Sequence, residues 1–108
     1  MSTMDERERA FENKFAHDDA LRFKTEMRRN RLLAGWAAEL MGMSQSDAEA
    51  YVMTLVKSDL EEAGDDDVFR KLRADFDAKG VDVTDHKLRT VMDEKLAEAK
   101  QQVMADGD

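Results

Sequence analysis

ALRFKTEMRRNRLLAGWAAELM, residues 20–41, is the stretch whose reading decides the fold. At about 100° per residue, Ala20, Phe23, Met27, Ala34, Ala37 and Met41 share one face of a helix. Ala16 extends that face towards the N-terminus, and Leu33, Trp36 and Leu40 widen it on one side. A helix with one apolar stripe buries it by packing on other elements, so residues 20–41 predict the core helix of a bundle.

Working outward, Gly42 stops this helix, and Ser44, with Asp47 three residues on, opens a second. Ala48, Tyr51, Val52, Leu55 and Val56 recur at helical spacing, with Leu60 just off the step, and Gly64 is the expected stop. Asp65 is the expected cap of a third helix, in which Asp66 and Asp67 favour the positive end of the helix dipole. Its stripe is Val68, Phe69, Leu72 and Phe76, and Gly80 closes it. Thr84 caps a fourth helix with the stripe Leu88, Val91, Met92, Leu96, Ala99 and Val103, and Val83 against Leu88 makes a hydrophobic staple. Loops of two to five residues make neighbouring helices antiparallel.

Composition agrees. The 108 residues hold no proline, five glycines and many strong helix formers, which predicts one all-α domain. The reading is a four-helix bundle over 20–104, an N-terminal arm over 1–19 and a frayed tail over 105–108. Thr3-x-x-Glu6 fits a capping box, so the arm is expected to be partly helical but frayed, or partly disordered, since an isolated helix of its length is marginal in water.

Residues 32–108 hold nine Lys/Arg against eighteen Asp/Glu, a balance of −9, whereas residues 1–31 hold eight against seven, a balance of +1. An acidic body repels the phosphate backbone and speaks against nucleic acid as a partner. The absence of cysteine excludes a disulfide framework and thiolate metal sites. No stretch approaches the roughly 20 apolar residues of a membrane span, and the start lacks the apolar run of a secretory signal. A cytoplasmic protein with no direct membrane insertion, monomeric when free, is expected.

No catalytic motif is present: there is no G-x-S-x-G, no phosphate-binding G-x-x-x-x-G-K-[ST] and no G-x-G-x-x-G, so the chain does not read as an enzyme. Asp65, Asp66 and Asp67 are consecutive rather than alternating, which favours helix capping over a calcium loop. His17 and His86 lack a second ligand at i+3 or i+4, so no metal site is read, and both are expected at the surface. Arg28, Arg29 and Arg31 form the strongest basic patch. They read as solvated charges or as contacts to phosphate or to an acidic partner surface. In the arm, RERAFENKFAHD at 7–18 places Phe11 and Phe15 four apart among charges of both signs. Such a pair suits either a solvated helix extension or a ligand laid into a partner's groove.

Three blocks carry a family likeness: RERAFENKFAHD at 7–18, RRNRLLAGWAAELMG at 28–42 and EEAGDDDVFRKLRADF at 61–76. Through them, and over essentially its whole length, the chain resembles the zeta subunit of alphaproteobacterial F-type ATP synthases. The resemblance implies a four-helix bundle and an inhibitor of ATP hydrolysis. In that scheme the N-terminal segment, up to about Asp19, orders as a helix in an interface between the α and β subunits near the γ stalk. The protein would then sit at the inner membrane peripherally, through the synthase. Met4, Arg7, Glu8, Arg9, Phe11, Glu12, Lys14, Phe15 and His17 become the partner-binding residues. The resemblance also brings adenine nucleotide as a ligand, so a nucleotide-binding or sensing bundle, with Arg28, Arg29 and Arg31 on the phosphates, is the alternative reading.

Overall fold

The structure, a computed structural model, describes residues 19–61 and 64–106. It is an all-α four-helix bundle: α1 (Asp19–Leu40), α2 (Gln45–Asp59), α3 (Asp66–Lys79) and α4 (Asp85–Ala105). The caps explain the boundaries. Ser44 accepts a hydrogen bond from the Asp47 N–H at 3.1 Å, and Thr84 accepts one from the Lys87 N–H at 3.0 Å, each satisfying a donor that the first helical turn leaves open. At their C-terminal ends α1 and α3 close alike. Gly42 and Gly80 take a left-handed φ of 69°, and the following N–H reaches back to Ala38 O and Phe76 O at 2.9 and 2.8 Å. A side chain is strained in that conformation, so glycine belongs there.

The core joins Leu33, Ala34 and Ala37 of α1, Tyr51 and Leu55 of α2, Val68, Leu72 and Phe76 of α3, and Leu88, Val91 and Met92 of α4. Trp36 meets Phe76 edge to face, with ring centroids 5.5 Å apart, a preferred aromatic geometry. Val83 and Leu88 both enter this core, as the expected staple requires. Outside it, Tyr51 donates to the Asp75 carboxylate at 2.6 Å. Burial first, and then that carboxylate, raise the phenol's pKa and keep it neutral.

Helix lengths set the shape. α1 and α4 have 22 and 21 residues, whereas α2 and α3 have 15 and 14. At 1.5 Å per residue, α1 outruns α2 by about 10 Å. Asp59, the last residue of α2, bonds to Asn30, so residues 19–29 of α1 lie past the end of α2. There α1 is held by α4: Leu21 packs on Val103 as a separate small core, and Arg28 bonds to Gln102 and Asp106. Among the described residues, the bundle is four helices thick at one end and two at the other.

Three expectations are corrected. First, α1 buries the row Leu21, Thr25, Arg29, Leu33 and Ala37 together with Asn30, Ala34 and Ala38, whereas Ala20 is exposed, Met27 is half-buried and Phe23 is 51% exposed. The predicted face coincides with the true one from Leu33 to Ala37, and beyond it Leu40, expected on that face, is 45% exposed. Second, α2 ends at Asp59, well short of Gly64, leaving Leu60 exposed and a connection of residues 60–65 that is longer than expected. Third, Asp65 stands at the N-cap of α3 without a capping hydrogen bond. Its carboxylate faces Arg89 at 3.6 Å and Arg29 at 4.0 Å instead.

Gly35 lies inside α1, and a Cβ built on it meets nothing within 4 Å. Gly35→Ala is expected to stabilise the fold by about 0.5–1 kcal/mol, through the lower entropy of the unfolded chain. Thermal unfolding should show Tm rising by a few degrees, and a fall would mean that the position meets something else.

Candidate partner-binding surface

Met4, Arg7, Glu8, Arg9, Phe11, Glu12, Lys14, Phe15 and His17 lie outside the described residues. What the structure does show is where the arm's chain enters the bundle. It joins α1 at Asp19, on the two-helix end.

The three arginines proposed for phosphate do not converge. Arg28 is bound to the Asp106 carboxylate at 2.8 Å and to Gln102 at 3.0 Å. Arg29 is buried and donates to Asp59 at 3.1 Å and to its neighbour Asn30. Arg31 is exposed and borders the same groove as Arg28, away from the buried Arg29. Two of the three thus fasten α1 to the rest of the bundle.

Sequence reasoning missed the group that closes the four-helix end. Asn30 is fully buried, and its amide donates to the second Asp59 oxygen at 3.1 Å. Arg29 and Asn30 therefore each hold one oxygen of the same carboxylate. Both members of the Arg29–Asp59 pair are 4% exposed, which makes this a desolvated pair in a polar cage rather than a surface bridge. Glu26 stands nearby. Burial first, and then the Asp59 charge, push its carboxyl pKa up, with Arg29 and Arg22 opposing the shift.

The acidic run 65–67 is absorbed by arginines. Arg89 meets the Asp66 carboxylate at 2.9 Å and stacks on the Phe69 ring at 4.0 Å. Asp67 is buried without a hydrogen bond to either oxygen and faces Arg70 at 3.6 Å. It borders an open cleft of about 500 Å³ between α2 and α3 that Lys57, Lys71 and Thr54 also line. Among the described residues, no group of three or more His, Cys, Asp or Glu is placed to hold a metal ion. His86 is exposed at the start of α4.

With this geometry in hand, a family model described as ATPase inhibitor subunit zeta matches residues 1–102. The chain belongs to that family. The match takes in the arm as well as the helices down to the last turn of α4. A solved structure, determined by NMR in solution, is 41% identical over 80% of this chain and 98% of its own, with a TM-score of 0.70. No curated protein matches the sequence. For a zeta-family chain the geometry divides in two: a bundle locked by the Arg29–Asn30–Asp59 cage, and a two-helix end from which the arm departs.

The cage yields two expectations. Asp59→Ala leaves the Arg29 guanidinium buried without its carboxylate and should cost about 3–5 kcal/mol in urea unfolding. Replacing both partners with apolar residues, Arg29→Met with Asp59→Leu, should cost far less, and equal losses would refute the ion-pair account. For Glu26 the sign follows from linkage. With its folded pKa raised, it favours folding fully below the ordinary carboxyl range, and that contribution is lost as pH rises through the raised value. Glu26→Gln should therefore have a higher Tm than wild type at pH 7, with the gap closing as the pH falls below about 4.

Proposed function

We propose that the protein inhibits an F-type ATP synthase, blocking ATP hydrolysis by inserting its N-terminal arm at an α/β catalytic interface near the γ stalk. The observation that carries the reading is the zeta-family match, which spans arm and bundle together. The contacts fall to the α, β and γ subunits. The protein acts by occupancy rather than by chemistry of its own, and its cytoplasmic place at the membrane comes through the synthase. No helix among the described residues is long and apolar enough to cross a membrane.

The division of charge supports an arm that inserts while the bundle stays outside. Within the arm, residues 7–18 hold three Lys/Arg against three Asp/Glu, a balance of zero, whereas residues 32–108 carry −9. A balanced segment enters a mixed-charge cleft without the repulsion that an acidic body meets at an acidic wall. Ordering about 15–20 residues costs several kcal/mol, so apolar anchors must offset it. Phe11 and Phe15 supply about 2 kcal/mol each when fully buried. Arg7, Glu8, Arg9, Glu12 and Lys14 then set orientation and encounter rate, with Met4 and His17 flanking the anchors. The cage serves this function indirectly, by giving the arm a firm root.

The test is inhibition of ATP hydrolysis by the isolated catalytic head of the host's synthase. The full chain should inhibit, and Phe11→Ala with Phe15→Ala should weaken inhibition by about two to three orders of magnitude, the equivalent of ~4 kcal/mol at most. The same potency in the double variant would remove the arm from the mechanism.

A further inference from the structure

Among the described residues, Phe23 and Met27 sit on a part of α1 that the large core does not cover. They lie on the side of α1 that carries Asn30, Ala34 and Ala38 further along, the side that α2 covers until it ends at Asp59. Phe23 is left 51% exposed and Met27 half-buried. Together with Lys24, Arg28 and Arg31 they line a shallow groove along the helix. A phenylalanine so exposed on a rigid helix, beside a methionine and ringed by cations, has the composition of an interface centre.

We propose that this groove is a second anchor of the inhibitory interface, docking on a surface of the inhibited ATPase that offers an apolar pocket rimmed by carboxylates. The inference rests on the reading of the arm as inhibitor and extends it into the bundle. Two observations choose the occupant. The first is continuity: the arm's chain leads straight into α1 at Asp19, so whatever holds Phe15 stands only eight residues from Phe23. Were the arm to order on binding as a helix continuous with α1, Phe11, Phe15, Phe23 and Met27 would fall within an arc of about 160° at 100° per residue, so a single wall of a cleft would meet all four. The second is charge. Lys24, Arg28 and Arg31 line the groove, whereas Arg29 is buried on Asp59, and the later part of the chain is strongly acidic. A second copy would present the same cations to this face, which disfavours self-association through it. An acidic rim on the ATPase complements them and speeds docking at low salt.

The experiment measures inhibition of ATP hydrolysis by the full chain and by full-length variants at two salt concentrations. Phe23→Ala with Met27→Ala should raise the concentration for half-inhibition about tenfold or more, with Tm close to wild type because neither side chain is in the core. Phe23→Leu with Met27→Leu should recover most of the loss. Arg31→Glu should weaken inhibition several-fold at low salt and less at high salt. A benzophenone side chain in place of Phe23 should crosslink to a subunit of the catalytic head. If wild type inhibits and the Phe23/Met27 pair inhibits equally, the second anchor is overturned while the arm reading stands. If wild type does not inhibit, both fall. If the crosslink joins two copies of the chain, the groove is a self-association face and the proposal fails.

Discussion

One carboxylate, Asp59, decides where the bundle ends. Its two oxygens take a guanidinium donor from Arg29 and an amide donor from Asn30, both buried on α1. A desolvated ion pair gains little net stability over apolar packing, but its geometry is narrow. α2 can meet α1 in a single register, with its last residue opposite Asn30. Sliding α2 by one turn would bury an arginine, an asparagine and an aspartate unpaired. The cage thus fixes register, and with it the length of α1 that projects past its neighbours. Asp65 brings the start of α3 to the same place, at 4.0 Å from Arg29.

That projection separates two mechanical roles within one helix. From Leu33 onward α1 is clamped on the large core with α2, α3 and α4 around it. Before Arg29, among the described residues, it is held on α4 through the Leu21–Val103 contact and the Arg28–Asp106 pair. The buried Thr25 hydroxyl bonds back to Leu21 O at 2.9 Å, so even the polar side chain on this contact is satisfied within the helix. A segment that must bind elsewhere gains from a root that is stiff along its axis yet open on one side.

How much of this was legible in the sequence depends on which signals are local. Ser44, Thr84, Gly42 and Gly80 act on backbone groups within one turn, and each is where the residue type predicts. The stripe of α4 is apolar and reads directly, as does that of α3 beyond the buried Asp67. The core row of α1 is not, because Thr25, Arg29 and Asn30 occupy its first half. An apolar-in rule rejects such a row and selects the neighbouring one, Phe23 and Met27, which points outward. The misreading came from a polar interaction between distant parts of the chain, and no local pattern announces it. The same interaction ended α2 early: residues 58–61, Ser-Asp-Leu-Glu, contain no breaker, and the stop belongs to Asp59's partners on another helix. The Asp65 error is of the same kind, since a good capping residue was claimed by Arg89 and Arg29.

The exposed apolar side chains and the acidity of the body belong to one argument. Phe23, Met53, Leu60 and Met104 are all 45% exposed or more, a burden that favours association between copies. A formal charge of −8 opposes it, since two acidic bodies repel one another, most strongly at low salt. The sign of the field reverses around Phe23, where Lys24, Arg28 and Arg31 gather. A partner offering carboxylates can approach there without meeting the field that keeps copies apart. Net charge then acts as a filter, leaving the apolar face of α1 available while restricting what reaches it.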